Sequence, residues 1–168
     1  MGQVRVASAD CVSGDAVPLD AALMGHLVCH LGPLRKEVLL ALFYDGEGFV
    51  LGHYLDTGGS AGYVSGRYRA LIEPAFALGA SGMALVHNHP SGDPTPSKGD
   101  IRATRRIEAL SLAMDIAFLD HAIIGGRAAV SMRRAGLMGF AGRTPAMNWN
   151  SQEPRLAVAG LHTEHMGE

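Results

Sequence analysis

The sequence predicts an α/β fold in which helices flank both faces of a mixed β-sheet. Helical and extended patterns follow one another in the order α-β-β-α-β-α-β-β, which is typical of a sheet covered by helices. A chain of 168 residues can bury about 70% of its unfolded surface without help from disulfides. We therefore expect one domain over residues 19–140. A short leader (1–18) would precede it, and a tail (141–168), mobile or docked on the domain, would follow.

The first half of the chain predicts one helix and a hairpin. Asp20 is a suitable N-cap for an amphipathic helix over residues 21–31. The apolar run 38–44 predicts a buried strand, and residues 49–55 predict a second one. The turn residues 45–48 between them are typical of a β-hairpin.

The second half predicts two helices and three strands. A helix over residues 66–78 follows a glycine-rich loop, and Pro74 within it should kink the helix or mark a boundary. The apolar residues 82–87 predict a strand, and a long helix should begin at Ser97 and end near residue 114. The last two predicted strands are 116–124 and 128–132.

Charge and composition exclude several classes of protein. The 14 Lys and Arg residues nearly balance the 16 Asp and Glu residues, so nothing demands a nucleic-acid or membrane partner. No apolar segment approaches the roughly 18 residues of a membrane span. Cys11 and Cys29 form no Cys-x-x-Cys pair and indicate no disulfide framework. We expect a soluble cytoplasmic protein.

Two histidines and a carboxylate predict a metal site. The strand 82–87 runs directly into His87 and His89, and residues two apart in a strand point to the same side. Both rings can therefore face one ion, while Asn88 points away. Asp100 follows eleven residues after the second histidine, at the start of the next helix. Three such ligands and one water form the usual catalytic zinc site.

Other polar residues near this motif have simpler interpretations. Ser97 and Asp100 form a Ser-x-x-Asp pattern that resembles a capping box. Asp93 lies in a Gly-Asp-Pro sequence typical of a turn and is not counted as a ligand. His121, which follows Asp120 in a predicted strand, is interpreted as a buried histidine bonded to the backbone, in preference to a partner of a zinc ligand.

The motif resembles that of a known family. His-x-His, then seven residues and Ser-x-x-Asp, is similar to the metal signature of the JAMM (MPN+/JAB) metalloproteases. Asn88 between the histidines and the sequence Ser-Gly-Asp-Pro-Thr-Pro-Ser (residues 91–97) resemble the RadC-like branch of that family. The similarity covers roughly residues 19–140. It implies a JAB/MPN fold, a three-layer sandwich like that of cytidine deaminases.

The resemblance also implies a role for each matched residue. His87, His89 and Asp100 would bind Zn²⁺, and a zinc-bound hydroxide would attack a peptide or isopeptide bond of a peptide or protein substrate. Glu37 would be the general acid/base that passes a proton from the water to the leaving amine. Ser97 would donate a hydrogen bond to the oxyanion. Specificity would lie in the loops 58–65 and 90–96.

Two alternative functions remain from the sequence. RadC-like proteins carry a historical DNA-repair label, and one predicted helix contains Lys98, Arg102, Arg105 and Arg106, which could contact phosphates. A solvated helix face is the preferred interpretation, because acidic residues dilute this charge. Only a short leader precedes the first helix, so we expect no helix-hairpin-helix region. The other alternative is a metal-bearing but inactive scaffold that recognises a partner.

Related metal and nuclease motifs are excluded. Zinc-dependent deaminases need a glutamate two residues after a histidine and a Pro-Cys-x-x-Cys sequence. Neither accompanies His87 or His89. HNH nucleases distribute their residues over a ββα unit, which a His-Asn-His tripeptide does not match.

Overall fold

The computed structural model describes residues 19–57 and 68–139. Its elements follow the predicted order, and their bounds differ from the predicted ones by one or two residues at most ends. The helices are α1 (Ala21–Leu31), α2 (Tyr68–Ala77) and α3 (Lys98–Ala113), and the strands are β1 (Leu39–Tyr44), β2 (Val50–Asp56), β3 (Gly82–His89), β4 (Ala117–Gly125) and β5 (Ala128–Ser131). The predicted leader, the loop 58–65 and the tail 141–168 lie outside the described residues.

The five strands form one mixed sheet in the order β2-β1-β3-β4-β5. β3 and β4 are parallel, and the other neighbouring pairs are antiparallel. The predicted hairpin of β1 and β2 and the predicted mixed sheet are therefore confirmed. Parallel neighbours need a long crossover connection, and α3 provides it between β3 and β4.

Helices cover both faces of the sheet, as predicted. α1 packs on one face through a cluster that includes Leu27, Leu40, Val86, Leu119 and Ile124. α2 and α3 pack on the opposite face through a second cluster that includes Phe43, Leu71, Leu85, Ile107 and Phe118. Alternate residues of the central strands contribute to the two clusters, because successive side chains of a strand point to opposite faces.

The helix ends agree with the predicted caps. The Asp20 side chain accepts hydrogen bonds from the backbone N–H groups of Ala22 at 3.0 Å and Leu23 at 2.8 Å. Pro74 lies inside α2, so the expectation that it could mark a boundary is wrong. Within the described residues, no helix is both long and apolar enough to cross a membrane.

β4 contains one extra residue relative to β3. Phe118 pairs with Met83, but the next pair along the strands is Asp120 with Ala84. Leu119 is therefore the additional residue of a β-bulge, which is rare between parallel strands.

This bulge reverses the alternation of side chains in β4. Phe118, before the bulge, packs in the cluster of α2 and α3. Ala122 and Ile124, after it, pack in the cluster of α1, although a regular strand would send all even-numbered residues to one face. As a result, His121 faces α3.

Arg133 and Asp120 bind the backbone groups around the bulge. The Arg133 guanidinium donates to the carbonyl of Leu119 at 2.7 Å. The buried Asp120 carboxylate accepts from the backbone N–H groups of His121 at 2.7 Å and Arg133 at 3.1 Å, and from the Ser131 hydroxyl at 2.6 Å. Buried backbone groups need such partners where a ladder is interrupted.

We expect Gly125→Ala to destabilise the fold. A Cβ on Gly125, the last residue of β4, would lie 2.3 Å from the Pro94 nitrogen and 2.7 Å from the Gly92 carbonyl oxygen, both backbone atoms. Because a loop backbone must shift to make room, the free energy of unfolding should fall by about 1–3 kcal/mol in urea denaturation.

Gly25→Ala is the matched control for this substitution. Gly25 lies within α1 with open space around it, so alanine should raise the free energy of unfolding by about 0.5–1 kcal/mol through helix propensity. Effects of the same sign and size for both variants would contradict the close contact at Gly125.

Candidate metal centre

The end of β3 and the start of α3 bring the three predicted ligands together. β3 extends through His89, so the side chains of His87 and His89 lie on the same side of the strand. The two Nε2 atoms are 2.9 Å apart. The Asp100 carboxylate lies 3.5 Å from each of them, with Oδ1 toward His87 and Oδ2 toward His89. These groups could hold a metal ion, since one ligand atom from each lies within 4.8 Å of the others.

Hydrogen bonds at Nδ1 orient both imidazole rings. His89 Nδ1 lies 2.8 Å from the carbonyl oxygen of Asp93. A carbonyl can only accept, so in the neutral ring Nδ1 carries the proton and Nε2 presents its lone pair to the cluster. His87 Nδ1 lies 2.8 Å from Nε2 of His121. The Asp93 side chain accepts from the backbone of Thr95, as expected for a turn residue.

A capping box holds the carboxylate of Asp100. The Ser97 backbone N–H donates to Asp100 Oδ2 at 2.7 Å, and the Asp100 N–H donates to Ser97 Oγ at 3.1 Å. The predicted capping pattern is confirmed. Because Ser97 Oγ accepts in this bond, its hydroxyl proton can still be donated to another group.

Asn88 anchors the segment that carries Glu37. The fully buried Asn88 side chain accepts from the Val38 N–H at 2.8 Å. Its amide nitrogen donates to the carbonyls of Lys36 at 3.1 Å and Leu34 at 3.3 Å. The sequence predicts that Asn88 points away from the metal ligands, but no local pattern indicates that it binds a segment 50 residues earlier.

Burial and neighbouring charges shift two pKa values at the site. Burial raises the pKa of Glu37, the negative charge of Asp100 raises it further, and His89 opposes both. Burial lowers the pKa of His87 to about 4, against the opposing effect of Asp100. His87 is therefore neutral near pH 7, the state that metal binding requires. The half-buried Glu37 carboxyl lies within the electrostatic reach of two predicted ligands.

His121 contacts a predicted ligand. Its ring is fully buried and lies between His87 and Thr104, whose Oγ1 is 2.7 Å from His121 Nδ1. The interpretation that this ring bonds to the backbone is wrong. Thr104 is not among the residues predicted from the sequence, although its position four residues after Asp100 puts both on one face of α3.

The basic residues of α3 lie on its outer face. Arg102, Arg105 and Arg106 are exposed, whereas Ala103 and Ile107 are buried against the sheet. This arrangement agrees with the preferred interpretation, a solvated helix face, and DNA binding through these residues stays an untested alternative.

Several curated proteins are similar in sequence to this chain. A UPF0758 protein, GSU0386, of Geobacter sulfurreducens is 38% identical over 104 residues, which cover 62% of this chain and 45% of the relative. A UPF0758 protein of Thiobacillus denitrificans is 37% identical over 133 residues, which cover 79% of this chain and 59% of the relative.

A third relative and a family model also match this chain. A UPF0758 protein of Rhodobacter capsulatus is 35% identical over 112 residues, 66% of this chain and 52% of the relative. The chain thus spans about half the length of the curated relatives it matches. The family model of the RadC-like JAB domain matches residues 20–137, a range that contains all of the predicted site residues. The chain therefore belongs to the RadC-like JAB domain family.

Proposed function

We propose that this domain is a zinc-dependent metallohydrolase of the JAMM type that hydrolyses a peptide or isopeptide bond. The observation that carries the proposal is the convergence of two imidazole nitrogens and one carboxylate, with a half-buried glutamate beside them. The matched relatives are named only as UPF0758 proteins, so the reaction is inferred from the site and from the JAMM resemblance.

The donor set fits a zinc ion. Imidazole nitrogen and carboxylate oxygen are ordinary zinc ligands, and atoms at zinc-bond distance in a tetrahedral site lie roughly 3.3 Å apart. The separations of 2.9 Å between the two Nε2 atoms and 3.5 Å from each to Asp100 lie on either side of this value. Three protein ligands leave the fourth position for water, as in catalytic zinc sites.

The surrounding residues have the properties that hydrolysis needs. When bound, zinc would supply Lewis-acid activation of a water molecule and of the scissile carbonyl. Glu37 has a raised pKa, which suits a group that takes a proton from water and returns it to the leaving amine. Ser97 lies in the capping box of Asp100, and its hydroxyl proton can be donated to the oxyanion.

Asp100→Asn should remove zinc binding. The wild-type protein should contain about one zinc ion per chain by elemental analysis, and the variant should contain far less because it lacks the anionic ligand. Asparagine can still accept the capping hydrogen bond from Ser97, so the fold should persist.

Asp93→Asn is the matched control for this loss. Asp93 is a fully exposed loop carboxylate that holds His89 through its backbone carbonyl, which the substitution leaves intact. This variant should retain zinc. Equal zinc contents in the folded wild-type and Asp100→Asn proteins would refute the ligand assignment.

Glu37→Gln should abolish hydrolysis without removing zinc. General acid/base catalysis contributes about 10²–10⁴-fold to a rate, and glutamine keeps the size of the side chain but cannot carry the proton. The measurement is kcat/KM on the best substrate from a library of internally quenched peptides, with zinc content determined in parallel.

Glu47→Gln, an exposed position in the turn between β1 and β2, should leave kcat/KM unchanged. Unaltered turnover in Glu37→Gln would show that another group moves the proton. A zinc-loaded wild-type protein that cleaves no peptide or isopeptide probe would instead favour an inactive scaffold.

A further inference from the structure

A chain of buried hydrogen bonds connects His87 to the backbone of α3. His87 Nδ1 lies 2.8 Å from His121 Nε2, and His121 Nδ1 lies 2.7 Å from Thr104 Oγ1. Thr104 Oγ1 is in turn 2.6 Å from the carbonyl oxygen of Asp100. The side chains of His87, His121 and Thr104 are all essentially inaccessible to solvent. The chain therefore starts at one predicted ligand and ends at the backbone of another.

The Asp100 end of this chain determines where each proton lies. Two oxygen atoms 2.6 Å apart repel unless a proton lies between them, and a carbonyl has none to give, so Thr104 donates to Asp100. Its single proton is then used, and Thr104 can only accept from His121. His121 Nδ1 must therefore carry a proton.

The position of the proton on His121 determines the position of the proton on His87. The His121 ring is fully buried, and neither of its two ring contacts, the Thr104 hydroxyl and the His87 ring, supplies a negative charge, so the ring is uncharged. Its Nε2 therefore has no proton, and His87 Nδ1 must donate to it. In the neutral His87 ring, Nε2 is then left with a lone pair directed at Nε2 of His89.

We propose that His121 and Thr104 are positioning residues that hold His87 in its Nδ1–H tautomer and so keep its Nε2 ready to bind a metal ion. The proposal rests on the metal site proposed above and adds two residues that act through His87. Groups that orient a metal-ligating histidine in this way typically contribute 10–100-fold to metal affinity.

The bulge in β4 allows these hydrogen bonds to form. In a regular strand His121 would face α1, and its ring would lie on the wrong face of the sheet for His87. Asp120 and Arg133, which bind the backbone at the bulge, therefore support the site without contacting it.

Thr104→Val and Thr104→Ser form a matched pair for the test. Valine keeps the volume of Thr104 but removes the hydroxyl, so His121 Nδ1–H loses its acceptor and the ring should change to the Nε2–H tautomer. His87 must then accept at Nδ1 and carry its proton on Nε2, where the proton competes with a metal ion for the nitrogen. Serine keeps the hydroxyl, and it should preserve the wild-type arrangement.

Two measurements compare Thr104→Val and Thr104→Ser with the wild-type protein. Heteronuclear NMR of the imidazole nitrogens in metal-free protein should find His87 as the Nδ1–H tautomer in the wild type and in Thr104→Ser, and as the Nε2–H tautomer in Thr104→Val. Competition with a chelator should give a zinc affinity that is about 10–100-fold weaker in Thr104→Val and close to wild type in Thr104→Ser.

The outcomes separate this proposal from the proposed function. An Nε2–H tautomer of His87 in the metal-free wild type would overturn it without any variant, and so would a folded Thr104→Val protein with unchanged tautomer and unchanged zinc affinity. A wild-type protein that binds no zinc at all would overturn both the proposed function and the role of these residues in metal binding. The tautomer of His87 would then still show whether His87 donates to His121, as the hydrogen-bond directions above require.

Discussion

The parallel pairing of β3 with β4 is the constraint on which the site depends. Parallel strands need a crossover, and α3 is that crossover, so its first turn returns to the sheet near the end of β3 where the histidines lie. Asp100 reaches His87 and His89 for this reason. The same pairing carries the bulge at Leu119, which turns His121 toward them. The predicted ligands and the residues that contact them thus depend on the pairing of β3 with β4.

Three electron-rich groups lie close together at the site, an arrangement that would favour the binding of a cation. Two imidazole lone pairs 2.9 Å apart, with a carboxylate 3.5 Å from each, repel one another when no cation lies between them. The chain keeps these acceptors together by fixing the far side of each ring and by capping the carboxylate through Ser97. A metal ion would relieve the repulsion, so binding and folding stability should be linked.

The features that the sequence predicts are those that depend on neighbouring residues. The cap at Asp20, the hairpin of β1 and β2, the His-x-His alternation and the Ser97–Asp100 box are each set by residues close to one another in the sequence, and the structure contains them all. The bulge at Leu119 is different, because the apolar residues of β4 have the same pattern with or without it. It is visible only in the register with β3 and in the hydrogen bond from Arg133 to the Leu119 carbonyl, which no local pattern contains.

Glu37 and the histidines are far apart in the sequence, but the register of β1 with β3 brings them near each other. β1 is antiparallel to β3, and Leu39 pairs with His87. Two residues back from Leu39 is Glu37, and two residues on from His87 is His89, so the register brings these two opposite each other, and opposed residues point to the same face. Asn88 extends this register beyond β1 by binding the backbone on both sides of Glu37. One tripeptide thus provides two predicted ligands and, between them, the residue that positions the predicted base.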